Sequence, residues 1–281
     1  MVHDHAHLFL ETPMKRLLLA LAAVLGAGLA HADDAALHAA VAGAQRTPAN
    51  AARDGARHPE ATLAFFGLRP DQTVVELVPG GGWYTEILAP YLREHGQLLE
   101  AGNDPQAAAE NQRRAAERFK AKLDAQPAVY DRVHLGVIDV EAGKFALGQP
   151  GSADLVLTFR NIHNWVPLGD DKTQAAFKAI YATLKPGGVF GVVEHRLPAA
   201  MTQDAQASTG YLHESYVIKM AESVGFKLAA RSEINANPKD HADHENGVWA
   251  LPPTYANKDK DRAGYAAIGE SDRMTLKFVK P

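Results

Sequence analysis

The sequence predicts an α/β domain with a doubly wound, mostly parallel sheet and a helical extension ahead of it. Three features lead there. Apolar runs the length of a buried strand alternate with amphipathic stretches from Thr73 onward. Three consecutive glycines, Gly80, Gly81 and Gly82, join the first such run to a helical pattern. A second pair, Gly187 and Gly188, stands immediately before the run "VFGVVEH". Parallel strands need a crossover between them, and the helical stretches supply it. In such a sheet a ligand sits at the carboxyl ends of the strands, which is where the glycine turn falls.

Each element follows from its own pattern. "TVVELV" (73–78) reads as a strand and "WYTEILAPYLREH" (83–95) as a helix. "QLLEAG" (97–102) is the next strand, followed by the long charged helix "PQAAAENQRRAAERFKAKLDA" (105–125). "RVHLGVI" (132–138), "ADLVLTF" (153–159) and "GVFGVVEH" (188–195) are strands, with "KTQAAFKAIYATL" (172–184) a helix between the last two. "ESYVIKMAESVGF" (214–226) is helical in period. Upstream, the alanine-rich "DAALHAAVAGAQ" forms a helix broken by Pro48, and Leu63, Phe65, Phe66 and Leu68 dock a short helix on the core. The boundaries drawn are 1–32 for a leader and the residues upstream of it, 33–70 for the helical extension and 71–281 for the main domain.

Composition narrows the function. A chain of 281 residues with 46% hydrophobic and 22% charged content buries one sizeable core. Its formal charge of −4, without basic blocks, argues against nucleic acid as partner. Met14-Lys15-Arg16 precedes an apolar run too short to span a bilayer comfortably, and Ala30-His31-Ala32 has the small-x-small pattern of a cleaved signal. The expectation is an exported, periplasmic protein without a stable membrane anchor after cleavage, with Met14 as the natural start of the leader. The absence of cysteine agrees with an oxidising compartment.

A glycine turn between strand and helix lets a ligand approach backbone N–H groups at the positive helix end. It is neither a dinucleotide fingerprint, since Thr85 stands three residues after Gly82, nor a phosphate loop, since no lysine follows. "ELVPGGGWYTEIL" together with "LKPGG" (184–188) resembles the class I S-adenosylmethionine-dependent methyltransferases. "FRNIHNW" (159–165) is similar to their quinone-biosynthesis branch, and "RDGARHPEATLAFFGL" resembles a group of exported methyltransferase-like proteins.

The resemblance implies the Rossmann-like methyltransferase fold with an antiparallel last strand at "MTLKFVKP". It also implies S-adenosylmethionine as cofactor and a small-molecule methyl acceptor. At the cofactor it places Glu76, Gly80, Gly81, Gly82, Asp104, Asp139, Arg160 and Asn161. Two positions depart from the family: Val78 replaces the usual first glycine, and Gly102 stands where the second strand's ribose-binding carboxylate belongs, with Asp104 just beyond. Glu76 as a helix cap and Asp139 as a turn residue are the structural alternatives.

Histidines supply the candidate chemistry. His163 after the fourth strand, His195 at the end of the fifth and His213 before the next helix are expected on the substrate rim, with His163 the first choice of general base. No metal site is assigned; "NPKDHADHENGVW" (237–249) is read first as a lid and second as a metal-binding loop. Arg53 and Arg57 either clamp an anion or form a charged helix face, and Trp83, Tyr84 and Trp165 either shape the pocket or pack the core. Three readings stay open: a methyltransferase, a non-catalytic binder on the same fold, and a metal-assisted hydrolase or lyase.

Overall fold

The computed structural model describes residues 35–281; the leader and the residues upstream of it lie outside the described residues. Eight strands form one sheet in the order β4-β3-β2-β1-β5-β6-β8-β7. They are β1 (Thr73–Leu77), β2 (Gln97–Gly102), β3 (Val133–Asp139), β4 (Lys144–Ala146), β5 (Ala153–Phe159), β6 (Leu184–His195), β7 (Lys227–Ser232) and β8 (Arg273–Val279). The pairs β1–β2, β2–β3, β1–β5 and β5–β6 are parallel. The pairs β3–β4, β6–β8 and β7–β8 are antiparallel, so the expected antiparallel last strand is present. The chain winds outward one way from β1 and the other way from β5, and the crevice between their carboxyl ends is the topological switch point.

Helices cover both faces. α1 (35–42), α2 (Pro48–Ala51), α3 (Asp54–Arg57) and α4 (Pro59–Phe66) form the N-terminal extension. With α5 (Thr85–Leu92), α6 (Glu110–Ala125) and α7 (Pro127–Tyr130) they share one core, in which Leu37, Leu63, Phe66, Ile87, Leu88 and Phe119 meet Val74 and Leu98 of the sheet. On the other face, α8 (Ile162–Trp165), α9 (Asp170–Thr183) and α10 (Glu214–Ser223) bury Phe177, Ile180 and Val217 against Val75, Leu77, Phe190 and Phe278. α11 (Arg262–Ile268) belongs to a small satellite cluster with Leu251 and Tyr265. Burial on both faces explains why β1 and β5 are almost continuously apolar. No helix among the described residues is long and apolar enough to cross a membrane.

Four elements differ from the sequence expectation. Residues 144–146 form a short edge strand, and 227–232 a strand at the opposite edge. The "LKPGG" segment lies inside β6, with Gly187 at φ +77° marking its bend. The helix expected from Pro105 begins only at Glu110, because Asp104 and Arg113 organise the residues between as a turn.

Candidate active site

The carboxyl end of β1 opens the site. Val78 and Gly80 both take left-handed backbone, at φ +48° and +60°, and the turn carries the chain into α5. A side chain added at Gly80 or Gly81 would meet nothing within 4 Å, so their backbone faces open space. Gly82 is different: a Cβ there would lie 3.1 Å from Lys122 Cε and 3.3 Å from Phe119. Its small size serves the packing of α6, whose Lys122 donates to Gly81 O and Glu86.

Beneath the turn lies a carboxyl pair. Glu76 and Glu100 are partners across the parallel β1–β2 ladder, and both are buried. Thr85 Oγ1 donates to Glu76 Oε2 at 3.0 Å. No donor reaches either oxygen of Glu100. Burial pushes Glu76 up to about 7, against hydrogen bonding from Glu100 and Thr85. Burial, then the neighbouring Glu76 charge, holds Glu100 well above the usual carboxyl range. Two buried carboxylates side by side cannot both ionise, so Glu100 retains the proton.

A second cluster grows from the ends of β5 and β6. Asn161 donates to Leu77 O at 3.0 Å and to Thr158 Oγ1 at 3.2 Å, which ties the end of β5 to that of β1. Glu194, wholly buried, accepts four hydrogen bonds: from the backbone N–H groups of Ile162, His163 and His195, and from His163 Nδ1 at 2.9 Å. A carboxylate can only accept here, so Nδ1 carries a proton, and in the neutral tautomer Nε2 is the bare nitrogen. The rings of His163 and His195 lie 5.2 Å apart, and His195 Nδ1 meets Ser271 Oγ at 2.6 Å. Burial, then the neighbouring His163 ring and the Arg160 guanidinium, keeps His195 well below the usual imidazole range.

Two cavities adjoin these groups. One, of ≈ 300 Å³, is bounded by Glu76, Gly80, Gly81, Tyr84, Arg160 and Asn161. The other, of ≈ 320 Å³, is bounded by His163, His195, Trp249 and Ser271. Arg53, Arg57 and Arg160 line both. A third cavity, of ≈ 270 Å³, lies on the far side of Gly80 and is lined by Glu100, Gly102 and Asn103.

Of the residues singled out from sequence, Glu76, Gly80, Gly81, Arg160, Asn161, His163 and His195 converge on this edge. Others do not. Asp104 is turned away, bound to Lys144 at 2.6 Å and to the N–H of Gln106. Asp139 closes its own turn by accepting from Ala142 N. His213 lines a separate cavity with Arg196 and Arg231, and its Nε2 meets Met201 O at 2.9 Å. Trp165 packs in the core rather than in a pocket, whereas Trp83 and Tyr84 line the first cavity.

In the 237–249 loop, Asp240 is spent on Tyr211, His244 and the N–H groups of Ala242 and Asp272, while Val248 and Trp249 wall the histidine cavity. The loop contributes walls, not ligands. Glu100 was missed from sequence. A glutamate inside "QLLEAG" is itself the available signal, being two residues from Gly102 and therefore on the same face of the strand.

His163, Glu194 and His195 are the one group among the described residues with metal-ligating atoms mutually within 4.8 Å. All acceptor capacity of Glu194 is engaged by four donors, and the adjacent wall is built of guanidinium groups. That chemistry disfavours a dication.

No family model and no curated protein matches the chain. Solved structures do. An S-adenosylmethionine-dependent methyltransferase from Aquifex aeolicus is 12% identical over 84% of this chain and 95% of that one, with a TM-score of 0.55. The geranyl diphosphate C-methyltransferase from Streptomyces coelicolor A3(2), solved with Mg2+, geranyl diphosphate and S-adenosyl-L-homocysteine, is 13% identical over 82% and 80%, at 0.54. The cyclase SpnF is 16% identical over 80% of both chains, at 0.53. The chain has the class I methyltransferase fold, and the cyclase shows that this fold does not set the reaction by itself.

Proposed function

We propose that this protein is an S-adenosylmethionine-dependent methyltransferase acting on a small molecule, with His163 as general base. The observation that carries the reading is the open backbone of Gly80 and Gly81 at the switch point, with buried Glu76 below it. This fits the cofactor's amino-acid end, since the ionised form of Glu76 attracts an ammonium group. On the far side of Gly80, Glu100 has two buried oxygens without donors, which suits ribose hydroxyls better than the engaged Asp104.

When bound, S-adenosylmethionine supplies an electrophilic methyl group on a sulfonium centre. The chain's own contribution is position and proton transfer. Asn161 fixes the β5 end against β1, Glu194 holds the His163 ring, and Nε2 takes the proton from the acceptor atom. His195, kept neutral, tolerates a second polar contact without adding charge.

Calorimetric titration with S-adenosylhomocysteine tests the reading. Wild type should bind. Gly80→Ala should not, although its left-handed φ costs only about 1 kcal/mol in folding. Equal affinity in the two proteins would remove the cradle. Metal-assisted chemistry would show instead as stoichiometric metal in elemental analysis, lost in His163→Ala and His195→Ala. Export belongs to the same proposal and is supported by the leader pattern in 14–32. The intact mass of periplasmic protein should lack residues 1–32; retention of the apolar segment in a membrane pellet would exclude it.

A further inference from the structure

We infer that the methyl acceptor is an oxyanion, a carboxylate or phosphate ester, whose charged group docks on Arg53, Arg57 and Arg160 beside His163. The inference rests on the methyl-transfer reading for the word acceptor, and on the arginines alone for the word anion.

Four guanidinium groups meet in this wall, and three of them share one carboxylate. Glu270 bonds Arg53 Nε at 2.7 Å, Arg57 Nε at 3.1 Å and Arg273 Nη1 at 2.9 Å. The Nη groups of Arg53 and Arg57 make no hydrogen bond among the described residues, and both side chains line the cavities. Arg160 is the decisive member. Its guanidinium has neither a hydrogen bond nor an ion pair among the described residues, yet it stands between the two cavities. Its backbone is held at φ +62° by an N–H bond to Val193 O at 2.7 Å. A residue other than glycine in that conformation is strained, and the strain aims the side chain into the crevice.

The nearby carboxylates do not compensate. Glu194 is committed to His163 and backbone N–H groups, and Glu76 to Thr85 below the turn. Burial, then the guanidinium neighbours Arg273 and Arg160 respectively, lowers Arg160 to about 10 and Arg57 to about 9.

The cofactor does not supply the missing charge. Its amino-acid end pairs a carboxylate with an ammonium, and the sulfonium adds a further positive charge. Binding it makes the crevice more positive. A structural clamp between the N-terminal extension and Glu270 would explain Arg53, Arg57 and Arg273 but leaves Arg160 without a role. An anion seated on the planar forks of three arginines answers both points and holds its reactive atom against His163.

The test titrates inorganic phosphate and benzoate into wild type, Arg160→Gln and Arg160→Lys, with and without saturating S-adenosylhomocysteine, by calorimetry. Circular dichroism melts establish that each variant is folded. Wild type should bind at least one of the two anions, more weakly as salt rises. Arg160→Gln should lose roughly 10- to 100-fold in that affinity while keeping its affinity for S-adenosylhomocysteine. Arg160→Lys should recover part of the loss. Anion binding should persist when S-adenosylhomocysteine is present.

If neither anion binds while S-adenosylhomocysteine does, the anionic acceptor is overturned and the methyl-transfer reading stands. If the anions compete with S-adenosylhomocysteine, and Arg160→Gln weakens both alike, the arginines hold the cofactor's own carboxylate and the proposal falls. If the anions bind and S-adenosylhomocysteine does not, the anion site stands and methyl transfer is lost.

Discussion

Glu100 on β2 and Glu194 on β6 flank the β1/β5 switch point, and both are wholly buried. They have opposite surroundings. Four donors converge on Glu194, among them the His163 ring. None reaches Glu100, which stands beside another buried carboxyl, Glu76. Donors offset what burial costs a charged carboxyl, and Glu100 lacks them. The histidine half of the crevice is therefore set before any ligand arrives. The glutamate half keeps polar capacity in reserve, as a site built to receive hydroxyl or ammonium groups would.

The strongest way to break this contrast is at the prepared half. His163→Ala should lower methyl transfer roughly 100- to 10,000-fold while leaving S-adenosylhomocysteine affinity unchanged, measured once an anionic acceptor has been found. Unchanged turnover would move the base to His195 or abolish the role. Next comes the pair itself. Glu194→Gln puts an amide where four donors meet, and should cost about 3 kcal/mol. In a domain of this size that is roughly 6–12 °C in melting temperature. Glu100→Gln exchanges a neutral acid for an amide of the same shape and should stay within about 1 kcal/mol. Similar losses in both variants would erase the distinction between the halves.

The pH dependence sharpens it further, because the two halves carry opposite signs. Glu76 and Glu100 have raised folded values, so their contribution to stability is fully present below the ordinary carboxyl range and is lost as pH rises, through about 7 for Glu76 and through the raised value of Glu100. His195 is depressed. Its contribution is present above the ordinary imidazole value near 6.5 and is lost as pH falls below it, where the unfolded chain takes a proton that the folded one refuses.

Denaturation curves from pH 5 to 8 should show both limbs. Glu100→Gln should flatten only the alkaline one. S-adenosylhomocysteine affinity should rise through pH 7, as Glu76 ionises opposite the ammonium. The smallest effect is expected at Asp104→Asn. Lys144 already occupies that carboxylate, so cofactor affinity should hold within about twofold, a shift near the resolution of calorimetry. A large loss would return the ribose contact to Asp104 and take it from Glu100.

Much of this was legible in the chain. Runs such as "TVVELV" and "ADLVLTF" are almost continuously apolar, which fits strands covered on both sides, and both lie at the centre of the sheet. The glycine turn identified the working edge. What local pattern could not reveal was orientation. Asp104 was picked for its distance from Gly102 along the chain, but the turn before α6 sends it to Lys144. His213 follows β6 in sequence, yet the connection from Arg196 to Leu212 carries it into another cavity.

Local periodicity and turn chemistry are properties of neighbours in sequence, and for that reason the sequence by itself determined the central strands, the helical extension and the edge where the ligand belongs, though not the short edge strands β4 and β7. Only the tertiary structure decided which side chains meet there. Arg53, Arg160 and Glu270 come from three distant segments, and Glu194 finds His163 across the β5–β6 pair. Their charges and proton positions come from burial and donors that exist only once those segments have packed together.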